Sequence, residues 1–583
     1  MKKMKRFIQL FSLLTAMFLT ATSVSAATSG GIRTSGNDNN AAQAANARAE
    51  RLSEYDFEKI PAELAQSAEL ELKEEAKQPV GLDPVDADNL YSFTTVNKDG
   101  TKTIFSFSQP VKYIEEESGK IKFIDNSIKE SGFFDAAFSG VAYENNASNI
   151  QVTLPKSIRS GVTINDGKYK ITMKPIGSKN SSGQKKESKF AAFSETVVEY
   201  RNVFGDGIHL QYKPVNLGVK ENIVIDSYTG TGTFQFELAV KGLTAEIDAY
   251  GNVVLKDEKT EALVYEFEKP WAMDSGDTAA KEAKLEFDNT YELEQQKNGK
   301  YILTLIVNND FLESPDTVYP ILVDPTAQQI TAENIQHAVV CSNGENWYGT
   351  SSNNYGSVGY HANGRYETMT YLKVTDSVGY GKFVNTDKPD TQIFLKMKQT
   401  YGGSSSYAVD VYDSKTAVSV SSASYSNIKS QRGMKINSVV CGANGTKTFN
   451  ITYSYLNWLD YLLNQGGFTQ DYGLILSAPG DGYANKQFNM TSGNTWIEVT
   501  YSEDASILDG VYVIRNVMTN KYLDAEQSGN QNVIAYPYHG GTNQQWKVES
   551  VGNGLYKLKN CWPAYNGLAL DANTTGAPTN ADL

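Results

Sequence analysis

The residues best equipped for chemistry lie near the C-terminal end, in Val511 to Val548, VYVIRNVMTNKYLDAEQSGNQNVIAYPYHGGTNQQWKV. Asp524 sits in the run Leu523-Asp524-Ala525, Tyr536 and Tyr538 flank a proline, and Asn543, Gln544 and Gln545 precede Trp546. A carboxylate accepts hydrogen bonds from neighbouring hydroxyls, and such charge-assisted bonds are the strong ones. An aromatic ring covers an apolar C–H face, and an amide both donates and accepts. Together these are the groups that hold a sugar ring. On residue types alone, the plainer reading of Asp524 is a turn carboxylate held by nearby backbone amides.

Other chemistries lack their spacing. The four histidines, His209, His337, His361 and His539, are each isolated. No H-E-x-x-H, G-x-S-x-G or Cys-x-x-Cys occurs, so metalloprotease, serine-hydrolase and zinc readings have no residues to stand on. No metal and no cofactor are expected. A glycosidase needs only two carboxylates across a cleft, and 67 acidic residues offer too many pairs to choose from. The expectation is a non-catalytic protein. A polysaccharide-degrading enzyme, with its catalytic domain in residues 90–325, stays as an alternative.

These groups must be positioned by a long chain. At 583 residues it exceeds one hydrophobic core and implies several domains. The net charge of -14 leaves little basic surface to release phosphate counterions, so no nucleic-acid partner is expected. Met1 to Arg6 is basic, Phe7 to Thr20 apolar, and Val24-Ser25-Ala26 offers small residues for cleavage. Residues 1–26 therefore read as a secretory signal peptide, too short in its apolar run to anchor in a membrane. After its removal no transmembrane segment is expected, and the protein is expected outside the cell. Cys341 and Cys441 fall in one proposed domain, and spacing alone leaves a disulfide and two separate thiols equally open.

Residues 27–89 are small and polar at first, then helix-prone in Pro61 to Lys77, and read as a disordered linker or propeptide with a short helix. From Asn89 the pattern changes to period-2 alternation broken by turn pairs. Asp99-Gly100, Ser118-Gly119 and Asp166-Gly167 each predict a hairpin, with the type I′ turn that Asp-Gly favours. Residues 90–325 thus predict a large antiparallel β region. Residues 327–502 form the next unit, with Leu456, Leu459 and Leu463 of Tyr453 to Asn464 at helical spacing, a buried cap on the domain. Leu523-Asp524-Ala525 recurs as Leu570-Asp571-Ala572, an internal repeat in residues 508–583. The fold class expected is all-β.

Three resemblances follow. VEYRNVFGDGIHLQYKPVNLGVKENIVI, the opening hairpins and YPILVDPT resemble the N-terminal part of bacterial secreted RHS and wall-associated proteins, which implies an extracellular β scaffold. Tyr355-Gly356, TYLKV, YLNWLDYLLNQG and WIEVTY resemble the DNRLRE domain family, which implies a jelly-roll-like β-sandwich. Val511 to Val548, ending in a Q-x-W signature, resembles one repeat of a ricin-B-type β-trefoil lectin. Its second copy stops at Leu583 before a second Q-x-W, so the trefoil is expected to be incomplete.

The lectin resemblance implies Asp524 as hydroxyl acceptor, Tyr536 as ring platform, Asn543 as amide and Gln544 as support. Tyr538 is a second platform, and Trp546 belongs to the core. One departure is Ile534, where a polar residue often helps. His539, beside these residues, reads as an exposed loop residue. The expected protein is a secreted, modular carbohydrate-binding surface protein whose partner is an extracellular glycan. A structural or toxin-carrying surface protein is the other alternative.

Overall fold

The computed structural model describes residues 60–570 except 84–85, 88, 133–139, 191–192, 277–283, 298, 331–333, 345–354, 361–365, 375–390, 402–405, 463–470, 481–482, 491–492, 503–509, 517–520, 528–531, 553–554 and 566–568. The signal peptide expected over 1–26 and the Asp571 repeat position lie outside the described residues. The fold is all-β, with short helices between strands.

Two sheets make the first unit. One runs, strand by strand, Thr290–Gln295, Lys300–Ile306, Thr233–Lys241, Lys170–Pro175, Val162–Asn165, Gln151–Pro155, Val141–Ala147, Asp125–Glu130. The other is built on Phe193–Tyr200, Ile208–Val215 and Gly218–Ile225, whose ladders are antiparallel. Thr233–Lys241 shows why they pack: Phe234, Phe236, Leu238 and Val240 point inward while the residues between them face out, the period-2 pattern of a half-buried strand. Those side chains meet Leu210, Tyr212 and Ile223 of the facing sheet in one core.

The second unit is a thirteen-stranded sheet among the described residues, whose halves enclose Ile393, Leu395, Val409, Phe449, Leu476 and Ile497. The helix expected over Tyr453 to Asn464 spans Thr452–Leu462. It caps this core with Tyr455 and Trp458, both buried, and with Leu456; the side chains of Leu459 and Leu463 lie outside the described residues. The hairpin Ser92–Asn97 and Lys102–Phe107, expected in the 90–325 region, instead pairs with Thr495–Tyr501 of this sheet. Phe105, Phe107 and Trp496 bury on its face, and that apolar surface decides which unit the hairpin joins.

Residues 60–83, expected as linker, are packed on the same face. Ala62–Ser67 is helical, and Leu64, Ala68 and Leu70 are buried against Phe93, Phe105 and Trp496. Lys73 pairs with Glu498 at 2.5 Å, and Lys396 reaches Glu498 at 3.2 Å and Glu69 at 3.3 Å. A short amphipathic segment, too weak to be a stable helix alone, is thus ordered by the sheet it covers.

One other expectation is corrected, and of the two states left open for Cys341 and Cys441 the structure has the separate thiols. The Asp99-Gly100 turn is not type I′, because that turn needs a left-handed conformation at both central residues. Among the described residues only Gly100 of this loop takes it, at φ +82°. Gly100 N–H donates to Asn97 O (2.9 Å) and Asn97 N–H to Thr101 O (2.8 Å), a longer loop that needs one left-handed position rather than two. Nor does a disulfide join Cys341 to Cys441; both are buried thiols. Cys341 ends the strand paired with Glu367–Val374, and Cys441 ends Arg432–Cys441. Leu474–Ser477 and Tyr407–Ser414 complete the series between them. Four inter-strand steps amount to about 19 Å along the sheet, far beyond disulfide reach.

Candidate carbohydrate site

The C-terminal module has two small sheets: Arg515–Asn516, Lys521–Ala525 and Val533–Tyr536 form one, Gly510–Val513, Gln545–Gly552 and Leu555–Asn560 the other. Strand parity sorts its residues. Leu523, Ala525 and Val533 point into a core with Ile514, Trp546 and Tyr565. Trp546 is buried, and its Nε1–H donates to Leu523 O at 2.9 Å. Tyr522 and Asp524 therefore face the other way, opposite Tyr536 and Ile534 in the ladder.

Asp524 lies on that face beneath a folded-back loop. The left-handed Gly540, at φ +74°, reverses the chain after Tyr536, and Gly541 lets it pass close to Asn543. A Cβ at Gly541 would stand 2.4 Å from Asn543 Oδ1. The return brings Asn543 Nδ2 to 2.7 Å from Asp524 Oδ1, and His539 Nε2 to 3.0 Å from Asp524 Oδ2. Gly541 N–H donates to His539 Nδ1 at 3.3 Å, which leaves Nε2–H to donate to the carboxylate. Gln544 is wholly buried and clamps the loop: its Nε2 donates to Pro537 O at 2.8 Å, and its Oε1 accepts His539 N–H at 2.8 Å.

The structure therefore gathers Asp524, Asn543 and Gln544 into one cluster, with Tyr536 at its rim and half its surface exposed. Tyr538 is equally exposed and stands beside Tyr522, centroids 4.8 Å apart. Asp524 is held by side chains of its own module rather than by the backbone amides of a turn. Its exposure is only 3%, and His539, whose side chain is 40% exposed, stands over its Oδ2. The Oδ1 of Asn543 is buried and has no hydrogen-bond partner among the described residues. Ile534, opposite Asp524, supplies no polar group there.

Residue-type reasoning missed Tyr522; it placed His539 as an exposed loop residue, which it is, without the bond to Asp524. Parity was the available signal for Tyr522, two residues before Asp524 on one strand. Nothing local marks His539, which reaches Asp524 only because Gly540 and Gly541 turn the chain.

Residues 484–582 match the ricin-type β-trefoil lectin domain-like family. The C-terminal module is lectin-like. The matched range begins within the preceding sandwich, since Lys486–Asn489 and Thr495–Tyr501 pair in its sheet. The tRNA(Glu)-specific nuclease WapA of Bacillus subtilis subsp. natto is 24% identical over 521 residues, covering 84% of this chain and 21% of that protein. The tRNA nuclease WapA of Bacillus subtilis strain 168 matches to the same extent. The tRNA3(Ser)-specific nuclease WapA of Bacillus spizizenii is 25% identical over 385 residues, 63% of this chain and 16% of that protein. The chain thus spans about a fifth of the length of the first two relatives.

These relatives overturn two expectations. Proteins similar to most of this chain are nucleases, so the expectation of a non-catalytic protein is withdrawn; missing short motifs are no argument in a chain that spans a fifth of such relatives. The exclusion of nucleic acid falls with it, because the relatives act on tRNA. Net charge averages over a whole chain and does not speak for one domain.

Proposed function

We propose that this chain belongs to a secreted, toxin-carrying surface protein of the tRNA-nuclease kind, in which the two β units serve as an extracellular carrier and the C-terminal module attaches to carbohydrate. The observation that carries the reading is the match of 84% of the chain to tRNA nucleases, together with a lectin-like module at residues 484–582. The cluster of Asp524, His539 and Asn543 beside Tyr536 has the residue types a sugar requires: a carboxylate, an aromatic ring and an amide.

Attachment is tested with the full chain on immobilised cell-surface polysaccharide. Retention and its loss on replacing Asp524 and Tyr536 together by alanine are expected; undiminished retention by the double variant overturns the site. The toxin reading is tested by exposing cells to the full-length gene product and sequencing their tRNA ends. New cleavage ends are expected, and intact tRNA overturns that half of the proposal.

A further inference from the structure

We propose that the lectin-like module takes its glycan as a chain of at least two sugar units, with Tyr538 and Tyr522 forming a second ring platform beside the one at Tyr536. This rests on the carbohydrate reading and names its substrate class.

Tyr522 and Tyr536 are direct cross-strand partners in an antiparallel ladder, so their rings rise from one face, about 5 Å apart at Cβ. Tyr538 lies beyond the strand end and turns back to Tyr522, with centroids 4.8 Å apart and planes at 41°. His539 packs edge-on against Tyr536 at 6.0 Å and reaches down to Asp524. One face therefore carries two aromatic positions: Tyr536 against the His539 that bonds Asp524, and Tyr538 beside Tyr522.

The exposures argue that the second position is for a ligand. A ring that only closes a loop buries its faces, whereas Tyr538 is 55% exposed and Tyr536 51%. The loop that presents them is nonetheless held rigidly, because Gln544 bonds Pro537 O and His539 N–H from below. Exposed aromatic faces on a fixed loop lose little entropy on binding, as preorganised sites do. The Asp524 end is short of contacts at the same time: Ile534 stands opposite it, and Asp524 itself is nearly covered. A single sugar there gains little, and a neighbouring unit on Tyr538 supplies the missing contact at no further cost in translational freedom.

The test is calorimetric titration of the full chain with matched pairs of probes: galactose and galactotetraose, xylose and xylotetraose, glucose and cellotetraose. In the series that binds, the tetrasaccharide is expected to bind on the order of 10-fold more tightly than its monosaccharide. Tyr538→Ala should abolish that gain, weakening the tetrasaccharide far more than the monosaccharide, Tyr538→Phe should keep it, and Tyr536→Ala should weaken both. Equal affinity for the two lengths, or equal loss for both in Tyr538→Ala, overturns the second platform while leaving carbohydrate binding in place. Absence of binding in every series overturns the carbohydrate reading and this inference with it.

Discussion

Asp524 and His539, fifteen residues apart in the chain, meet at 3.0 Å between Oδ2 and Nε2. The carboxylate is almost fully buried and the imidazole partly exposed, so the histidine stands between the acid and solvent. Its Nε2–H donates to one carboxylate oxygen while Asn543 holds the other. Replacing His539 by alanine leaves a buried carboxylate one donor short, at a cost of about 1.5–3 kcal/mol for a charged hydrogen bond. Glycan affinity in titration should fall about 10-fold or more. His539→Gln, whose amide can donate in the same place, should recover part of it.

Gly541 is where the loop touches its anchor. Its backbone is extended, at φ -69° and ψ 154°, so alanine is not strained by conformation, but a Cβ would meet Asn543 Oδ1 at 2.4 Å. Gly541→Ala should displace the Asn543 amide from Asp524 and weaken glycan binding, with a local destabilisation of about 1–3 kcal/mol. Binding isotherms and hydrogen exchange over residues 536–546 would show both. Unchanged affinity and protection would contradict the tight approach.

Glu221 titrates against the fold. Burial pushes its carboxyl up to about 8, although Tyr212 donates to its Oε1 at 3.1 Å. The native state thus holds a proton that the unfolded chain releases near the ordinary carboxylate range. Its contribution to stability is full below that range and is lost as pH rises through about 8. Thermal melts of the wild type and Glu221→Gln should diverge across that window, the wild type losing on the order of a few kcal/mol relative to the variant. Glu195 acts in the opposite sense: burial opposes its charge, but Lys220 and Lys213 outweigh it and hold its carboxyl down to about 2. That contribution is present above the ordinary carboxylate range and disappears as pH falls toward 2.

Glu498 holds the segment of residues 60–83 to the sandwich. Burial works against its charge, but Lys73 and Lys396 outweigh it and keep its carboxyl below the usual range. Glu498→Gln leaves two buried ammonium groups without their shared anion and should destabilise the protein by on the order of 3 kcal/mol. Lys73→Ala should cost less, since Lys396 still pairs with Glu498. Limited proteolysis should then cut first within residues 60–83. Equal resistance in wild type and both variants would show that the apolar contacts of Leu64 and Leu70 suffice alone.

Much of this was legible along the chain because its signals are local. Period-2 alternation in Thr233–Lys241 and the glycines at positions 100, 119 and 167 mark strands and hairpins through their own backbone preferences. The run from Val511 to Val548 likewise showed Asp524, Tyr536, Tyr538, Asn543 and Gln544 by residue type. The turn type at Asp99-Gly100 was misjudged because loop length, not the residue pair alone, sets which positions must be left-handed.

By itself, then, the amino-acid order determined an all-β chain, where its strands and turns fall, and which side chains could meet a sugar. Only the tertiary structure decided what those strands join and what those side chains touch. The Ser92–Phe107 hairpin and the segment before it went to the second sandwich because Phe105, Phe107 and Trp496 bury together there, at a separation in sequence that no local pattern encodes. Cys341 and Cys441 were kept apart by the strands between them. His539 came to Asp524 because two glycines let the loop fold back onto a strand already seated on the core of Trp546.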